Sequence, residues 1–92
     1  MEKEKISIIT PLYNGEKFVE YAINSVINQT NENWELLIID DFSKDKGCEI
    51  ARNYAENDSR IRIIKNEENL GVVETRNRGI REAAGRYIAF LD

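Results

Sequence analysis

The sequence predicts an α/β protein with one small domain, a Rossmann-like β-α-β-α-β-α-β chain whose mainly parallel sheet carries helices on both faces. Short apolar segments rich in β-branched residues alternate with segments of helical periodicity along all 92 residues. Residues 34–41 are nearly continuous in apolar side chains, which is typical of a strand buried on both faces of a parallel sheet. This alternation implies right-handed crossovers between the strands.

The first two elements are a strand and a helix. Residues 6–12 are short and β-branched, which predicts the strand. Residues 15–30 follow with helical spacing, and Asn14 is a candidate N-cap for this helix. The apolar stripe of the helix is formed by Phe18, Val19, Ala22, Ile23, Val26 and Ile27.

The middle of the chain predicts a second helix and a third strand. Ser43 is a candidate cap for that helix, with Asp45 in its first turn. Its inner face is expected to carry Cys48, Ala51, Tyr54 and Ala55. Residues 60–65 alternate in polarity at first, and we interpret them as an edge strand.

The last two elements are a helix over residues 72–84 and a strand over residues 87–91. Val73, Asn77, Ile80 and Ala84 lie on one face of the helix at helical spacing. Gly79 inside it predicts close packing on the sheet. Gly85 fits the C′ position, where a positive φ is favoured.

Composition excludes several kinds of chemistry. The chain has 13 basic and 17 acidic residues, a net charge of −4, one cysteine and no histidine. A nucleic-acid binder that works through bulk charge is not supported. Ser-His-Asp and Cys-His catalytic sets are impossible, a disulfide within the chain is impossible, and a zinc site is nearly excluded.

The sequence carries no signal for a membrane or for secretion. No apolar run approaches the ~20 residues that a membrane-spanning helix needs. Residues 1–5 lack the apolar stretch of a signal peptide. We therefore expect a reducing, cytoplasmic location.

Ligands of such sheets lie outside the carboxyl ends of the strands, where the strand order reverses. The segments to inspect are therefore residues 11–15, 40–44 and 65–71, together with Asp92. Neither a G-x-G-x-x-G nor a Walker-type phosphate loop follows the first strand, which disfavours NAD-type and P-loop sites.

Two of these segments offer an aromatic ring and carboxylates. Tyr13 could stack on a planar base, or it could pack against its own loop. Asp40 and Asp41 point to opposite faces of a strand and therefore predict different roles. One carboxylate could accept a hydrogen bond from a ring N–H or a ribose hydroxyl. The alternative is that both acids cap the second helix together with Ser43.

The third helix and the end of the chain carry charged side chains. Arg76 and Arg78 could meet a phosphate near the helix N-terminus, or both could be solvated with Glu74 or Glu82 as partners. Asp92 could hold a ribose or a divalent metal, or it could simply end its strand in solvent. Cys48 is interpreted as a core residue without a chemical role.

Taken together, the segments resemble the N-terminal half of a family 2 glycosyltransferase with the GT-A fold. The resemblance covers nearly the whole chain past Lys5, and its motifs come in the family's order. They are S-I-I-T-P-L-Y-N at 7–14, S-V-I-N-Q-T at 25–30, W-E-L-L-I-I-D-D-F-S at 34–43, N-L-G at 69–71, T-R-N-R-G-I at 75–80 and G-R-Y-I-A-F-L-D at 85–92.

The resemblance implies a nucleotide-binding set made of Pro11, Tyr13, Asp41, Arg76 and Asp92. Tyr13 would stack on the donor's base and Asp41 would bond its ring nitrogen. Arg76 would lie close to the nucleotide. Asp92 would open the D-x-D motif and contact the ribose or a Mn²⁺ or Mg²⁺ ion. Such enzymes transfer a sugar from a nucleoside diphosphate, here a UDP-sugar by resemblance, to an acceptor hydroxyl with inversion.

The resemblance also implies missing parts. The sequence stops at the first acid of D-x-D, so the main metal ligand and the general base of the acceptor half are absent. We expect a donor-binding portion that is inactive alone, from a protein of polysaccharide biosynthesis with a glycan or lipid-linked acceptor. The resemblance also implies that this parent protein lies at the inner face of the membrane as a peripheral protein. The alternative is a non-catalytic module that self-associates through the open edge of residues 87–91. A receiver-like signalling domain ranks low, because its acidic pair would follow the first strand.

Overall fold

Seven elements alternate along residues 4–92, the part of the chain that this computed structural model describes. The strands are β1 (Ile6–Leu12), β2 (Trp34–Asp40), β3 (Ile61–Lys65) and β4 (Tyr87–Phe90), and the helices are α1 (Glu16–Ile27), α2 (Gly47–Asn57) and α3 (Val72–Glu82). The predicted α/β class and element order are confirmed. The prediction about a signal peptide falls partly on residues 1–3, which lie outside the described residues.

The strands form one sheet in the order β3-β2-β1-β4, and every pairing is parallel. All seven residues of β2 are buried, because this strand has a neighbour on each side and a helix layer on each face. β3 lies at one edge, as predicted. The chain steps from β1 to β2 to β3 in one direction, whereas β4 lies on the other side of β1. The strand order therefore reverses beside β1, where this class of sheet forms its ligand crevice.

Helices cover both faces, as predicted. Leu36 and Ile38 of β2 face α1 and α2 and join one hydrophobic core, whereas Leu37 and Ile39 join a second core on the opposite face with Ile9. Each fully buried Leu or Ile side chain contributes about 1.5–3 kcal/mol relative to its exposed state. None of the helices among residues 4–92 is long and apolar enough to cross a membrane.

The inner face of α3 is not the one that its apolar residues predict. Thr75 and Gly79 are buried, whereas Val73 is 66% and Ile80 is 43% exposed. A Cβ atom at Gly79 would lie 2.5 Å from Cγ2 of Ile9. The helix therefore packs so closely on the sheet that only its small residues fit there. The close-packing interpretation of Gly79 is confirmed, and the apolar-face prediction is wrong.

Two predicted helix starts are wrong for a common reason. α1 begins at Glu16 after Gly15, and α2 begins at Gly47 after Lys46. Asn14, at φ 51°, instead accepts the N–H of Lys44 at 2.8 Å. Ser43 accepts the N–H of Asn14 at 3.0 Å and donates to the carbonyl of Leu12. The two predicted caps thus hold the loops after β1 and β2 to each other.

The predicted role of Gly85 is also wrong. α3 ends at Glu82 with Ala83 as its extended C-cap, so Gly85 lies beyond C′, and Gly71 is the glycine at positive φ in the described chain. A Cβ atom at Gly85 would lie 2.6 Å from Oγ of Ser7 and 2.8 Å from its backbone nitrogen. Gly85 is therefore required for close approach to the start of β1.

A buried carboxylate fixes that approach. Glu35 lies opposite Ser7 in the β1–β2 register and accepts hydrogen bonds from the Ser7 hydroxyl at 2.5 Å and from the N–H of Ala84 at 2.7 Å. The Ser7 hydroxyl oxygen in turn accepts the N–H of Gly85 at 2.8 Å. Burial raises the pKa of Glu35, but the hydrogen bonds from Ser7 and Ala84, together with the positive charges of Lys5 and Arg62, hold the pKa below its ordinary value.

A Glu35→Gln substitution should make the free energy of unfolding depend less steeply on pH in the acid range. Because the folded pKa of Glu35 is lowered, its ionised form stabilises the fold above the unfolded pKa, and that contribution is lost as pH falls through the folded pKa. We expect the variant to lose about 1–3 kcal/mol at pH 7. Urea unfolding between about pH 7 and pH 3 should show this deficit shrinking towards acid. Glu20→Gln, at an exposed glutamate of α1, is the control; a deficit that stays constant with pH would contradict the assignment.

Candidate functional site

A cleft of about 490 Å³ opens at the carboxyl ends of the strands, beside the point where the strand order reverses. The residues that the sequence predicts for a nucleotide site all line it. They are Pro11, Tyr13, Asp41, Arg76 and Asp92. They come from the ends of β1, β2 and β4 and from the first turns of α3, so the parallel sheet brings together residues that are far apart in the chain.

One wall of the cleft is aromatic and apolar. Tyr13 follows β1 directly, and its side chain is 52% exposed at the cleft. Pro11 of β1 and Phe18 of α1 line the same wall. Asn14 turns the chain out of the sheet at φ 51°, a conformation that asparagine tolerates better than most residues. The wall therefore presents an open ring face of the kind on which planar bases stack.

Asp41 lies at the back of the cleft and is only 4% exposed. Its Oδ1 accepts the N–H of Leu70 at 2.7 Å and Nδ2 of Asn66 at 2.9 Å. Its Oδ2 accepts the N–H of Gly71 at 2.9 Å and Nδ2 of Asn69 at 3.1 Å. The alternative that Asp41 caps the second helix is therefore wrong. It instead orders the loop that leads into α3.

The charge state of Asp41 follows from these contacts. Burial raises the pKa of the carboxyl, but the hydrogen bonds from Leu70, Asn66, Gly71 and Thr75 lower it, and the net pKa lies below its ordinary value. Asp41 therefore stays ionised at neutral pH. A carboxylate that accepts several backbone N–H bonds behaves in this way.

Asp40 has a different role, as its opposite orientation on the strand predicts. It is fully buried, and its Oδ2 accepts the N–H of Ser43 at 3.3 Å. Asp40 thus bends the loop after β2 and does not line the cleft. Nearby, burial raises the pKa of the Cys48 thiol, which agrees with the interpretation of Cys48 as a core residue.

The two predicted phosphate-binding arginines separate in the structure. Arg76 points into the cleft, forms an ion pair with Asp92, and lies with its guanidinium 5.7 Å from the ring centre of Phe90. Arg78 points away and donates from Nη1 to the carbonyl of Lys65 and to Oδ1 of Asn66, both at 2.8 Å. Both alternatives for Arg78 are therefore wrong, because it is neither at the cleft nor paired with Glu74 or Glu82.

Three residues around Asp41 escaped the sequence-based prediction. Asn66 is 2% exposed and donates from Nδ2 to both Asp41 and Thr75. Asn69 and Thr75 line the cleft itself. The N-x-G pattern at 69–71 was the available signal, because such residues favour irregular backbone before a helix. The pattern does not indicate with which acidic side chain these residues form hydrogen bonds.

The described residues do not form a metal site of their own. Among residues 4–92, no group of three or more His, Cys, Asp or Glu side chains could hold a metal ion. Asp92 has an exposed carboxylate in the cleft, already paired with Arg76. Hard cations such as Mn²⁺ and Mg²⁺ prefer oxygen ligands. The exposed carboxylate of Asp92 has this chemistry, but it does not form a metal site by itself among residues 4–92.

Fold and cleft define an α/β domain with an open cleft at the carboxyl ends of its parallel strands. A model of the family described as Glycosyl transferase family 2 matches residues 7–92. The chain therefore belongs to glycosyl transferase family 2, as its motifs predict.

Individual relatives agree with this assignment. The chain is 41% identical to the putative teichuronic acid biosynthesis glycosyltransferase TuaG of Bacillus subtilis over 98% of its own length and 36% of that protein. It superimposes on the crystal structure of S. aureus TarS 1-349 in complex with UDP-GlcNAc with a TM-score of 0.88, at 30% identity, over 96% of this chain and 26% of that one. The chain thus spans about a third or less of the proteins that it matches.

A more distant structure shares the fold alone. The mannosyltransferase PcManGT from Pyrobaculum calidifontis, in complex with GDP-Man and Mn²⁺, matches with a TM-score of 0.85 at 21% identity, over 95% of this chain and 26% of that one. The Rossmann-like arrangement predicted for a GT-A glycosyltransferase is confirmed by these superpositions.

Removing the Asp41 carboxylate should release the loop of residues 66–71. In an Asp41→Ala variant the N–H groups of Leu70 and Gly71 lose their acceptor, and hydrogen bonds to charged groups contribute about 1.5–3 kcal/mol each. We expect the free energy of unfolding, measured in urea, to fall by about that amount. Hydrogen exchange at both amides should be faster.

Asp45→Ala is the matched control, because Asp45 also accepts two backbone N–H groups, those of Glu16 and Gly47. It should leave exchange at Leu70 and Gly71 unchanged. Equal protection of these amides in wild type and Asp41→Ala would show that the carboxylate does not order the loop.

Proposed function

We propose that this chain forms the donor site of a glycosyltransferase and binds the nucleotide of a nucleotide-sugar. The observation that carries the proposal is one cleft that combines an aromatic face, a buried carboxylate, an arginine and an exposed acid. The TarS structure, which holds UDP-GlcNAc and is 30% identical to this chain, supports a UDP-sugar as donor.

Each residue of the cleft has a role that its chemistry suits. Tyr13 and Pro11 hold the base by stacking, which is worth about 1–3 kcal/mol per base. Asp41 and its loop form the edge of the base pocket. Arg76 meets the negative charge of the diphosphate, close to the N-terminal turn of α3, where backbone N–H groups also favour anions. Asp92 contacts the ribose or the cation.

A divalent cation fits this chemistry. Asp92 would hold Mn²⁺ or Mg²⁺ together with oxygens of the diphosphate, and the ion would neutralise charge on the leaving diphosphate. Before binding, Arg76 neutralises the Asp92 carboxylate. Nucleotide binding therefore requires the two side chains to exchange partners, with the arginine turning towards phosphate.

We further propose that these 92 residues bind the donor without transferring sugar. The carboxylates that line the cleft in the described chain are those of Asp41, which accepts hydrogen bonds from its loop, and Asp92, which pairs with Arg76 in the free protein and contacts the ribose or the cation in the proposed complex. Neither is free to deprotonate an acceptor hydroxyl. Transfer with inversion to a glycan or lipid-linked acceptor, at the cytoplasmic side of a membrane, is the activity that we propose for the whole protein.

A titration of the chain with UDP and Mn²⁺, followed by ¹⁵N-resolved NMR, tests the donor site. We expect saturable shifts at Tyr13, Asp41 and Arg76, and Tyr13→Ala should weaken binding about 5- to 100-fold, since stacking contributes about 1–3 kcal/mol. Tyr21→Ala, which removes a more exposed tyrosine on α1 outside the cleft, is the control. Absence of shifts at Tyr13 and Asp41 would defeat the proposal.

Self-association through β4 is a second candidate function. Tyr87, Ile88 and Phe90 are each more than 40% exposed, and β4 pairs with β1 on one side only among the described strands. The N–H groups of Tyr87 and Leu91 donate inward to Lys5 and Ile9. The backbone N–H groups of Ile88 and Phe90 therefore point away from β1, towards the open edge, where an edge strand can pair with another chain.

The register of such a pair follows from these directions. In an antiparallel pair centred on Ala89, Ile88 lies opposite Phe90 of the second copy, and Arg86 lies opposite Asp92. Apolar and oppositely charged cross-strand pairs each contribute about 0.2–1 kcal/mol. In this register the outward backbone groups of the two copies face each other, apolar side chains lie opposite apolar ones, and opposite charges are paired.

Light scattering as a function of concentration tests this candidate. Wild type should approach the mass of a dimer at high concentration. Ile88→Lys should remain monomeric, because a charge on an edge strand opposes pairing. Val73→Lys, on the outer surface of α3, should behave as wild type. A wild-type protein that remains monomeric at millimolar concentration would rule this function out.

A further inference from the structure

The loops after β1 and β2 hold Asn14 in an unusual backbone conformation. Asn14 has φ 51°, in the left-handed region that asparagine tolerates better than most residues. Its N–H donates to Oγ of Ser43 at 3.0 Å, and its Oδ1 accepts the N–H of Lys44 at 2.8 Å. We refer to these two hydrogen bonds as the Asn14 clasp, because they fix the backbone and the side chain of Asn14 together.

The residue that follows Asn14 makes this asparagine chemically distinct. Among the asparagines of the chain, only Asn14 is followed by glycine. Glycine has no Cβ to obstruct a close approach to its backbone nitrogen. The nitrogen of Gly15 can therefore attack Cγ of the Asn14 side chain and close a succinimide ring. Asn14 is exposed, so water reaches the ring and can open it.

We propose that Asn14 is a site of spontaneous deamidation and that the Asn14 clasp determines its rate. In the first step a bond forms between the nitrogen of Gly15 and Cγ of Asn14, and the Cγ–Nδ2 bond breaks. The amide nitrogen leaves as ammonia together with the proton of the Gly15 N–H. Water then adds to either carbonyl of the ring and opens it to aspartate or isoaspartate. This chemistry does not depend on the proposed donor site.

The clasp opposes ring closure in the folded chain. At the ψ of roughly +47° that accompanies a left-handed φ, the nitrogen of Gly15 is turned away from Cβ of Asn14. The hydrogen bond from Lys44 also directs the side-chain amide towards the loop after β2. Ring closure therefore requires the clasp to open, and its rate follows the population of the locally open form.

Deamidation leaves a lasting change beside the cleft. Both products place a new carboxylate near Glu16 and Asp45, which accept backbone N–H groups of the same two loops, and like charges at short distance repel. Isoaspartate also lengthens the main chain before Gly15, so the geometry of the clasp is lost. Tyr13, the aromatic residue of the cleft wall, precedes the modified residue directly. The modification therefore releases the loop that carries this ring.

Ageing of the chain in mildly alkaline buffer, with and without urea, tests the proposal. Peptide mapping that separates asparagine, aspartate and isoaspartate gives the rate at each site. In urea, Asn14 should convert faster than every other asparagine, and in the folded chain it should convert more slowly than in urea. Equal rates at Asn14 in buffer and urea, or faster conversion of another asparagine in urea, would overturn the proposal.

Two serine variants test the role of the clasp in the folded chain. Ser43→Ala removes the acceptor of the Asn14 N–H and should speed conversion of Asn14 about 2- to 12-fold, the range that loss of one hydrogen bond gives. Ser25→Ala is the matched control, because the Ser25 hydroxyl donates within α1 to the carbonyl of Ala22. Equal rates in the two variants would show that the clasp does not limit the reaction.

Gly15→Ala covers the case in which Ser43→Ala does not fold. A Cβ at residue 15 obstructs attack by its nitrogen whether the chain is folded or not. Because this Cβ would lie 2.7 Å from Cδ1 of Leu12 in the fold, the comparison is made in urea. Conversion of Asn14 should fall there to the rate of the other asparagines. An unchanged rate would contradict attack by the Gly15 nitrogen.

Discussion

The cleft depends on the carboxylate of Asp41. The loop of residues 66–71 has no regular structure, so its backbone N–H groups need acceptors from elsewhere. Asp41 supplies them from the end of β2, where the rigid centre of the sheet holds it. By fixing Gly71 it fixes the start of α3, and with it the direction of Arg76. The buried carboxylate of Asp41 thus positions both the loop of residues 66–71 and the guanidinium of Arg76.

A second buried carboxylate holds the far end of the same helix. Glu35, near the start of β2, ties the connection between α3 and β4 to Ser7 of β1. Gly79 and Gly85 allow the helix and its connection to approach the sheet. Because α3 is held at both ends and packs on the sheet through its small residues, the chain that follows it places β4 beside β1. The strand order reverses there and the cleft opens.

Several local features could not be predicted because their partners are remote. Asn14 and Ser43 are chemically suited to cap helices, and each lies just before one. They instead bond to the other's loop, 29–30 residues away in the chain. Arg78 likewise bonds across to Lys65 and Asn66. A short polar side chain can satisfy either a local or a distant group, and only the packed fold determines which lies in reach.

The sequence by itself determined the α/β alternation, the buried central strand, the edge of the sheet that carries the ligand and the family. These depend on side-chain periodicity and motif order, which are local properties of the chain. Only the tertiary structure decided that the Asp41 carboxylate accepts hydrogen bonds from the loop of residues 66–71, that Arg76 rather than Arg78 faces the cleft, and that Asn66 and Asn69 donate to Asp41. These outcomes depend on contacts between residues 12–30 positions apart, which meet only when the parallel crossovers bring the strand ends together.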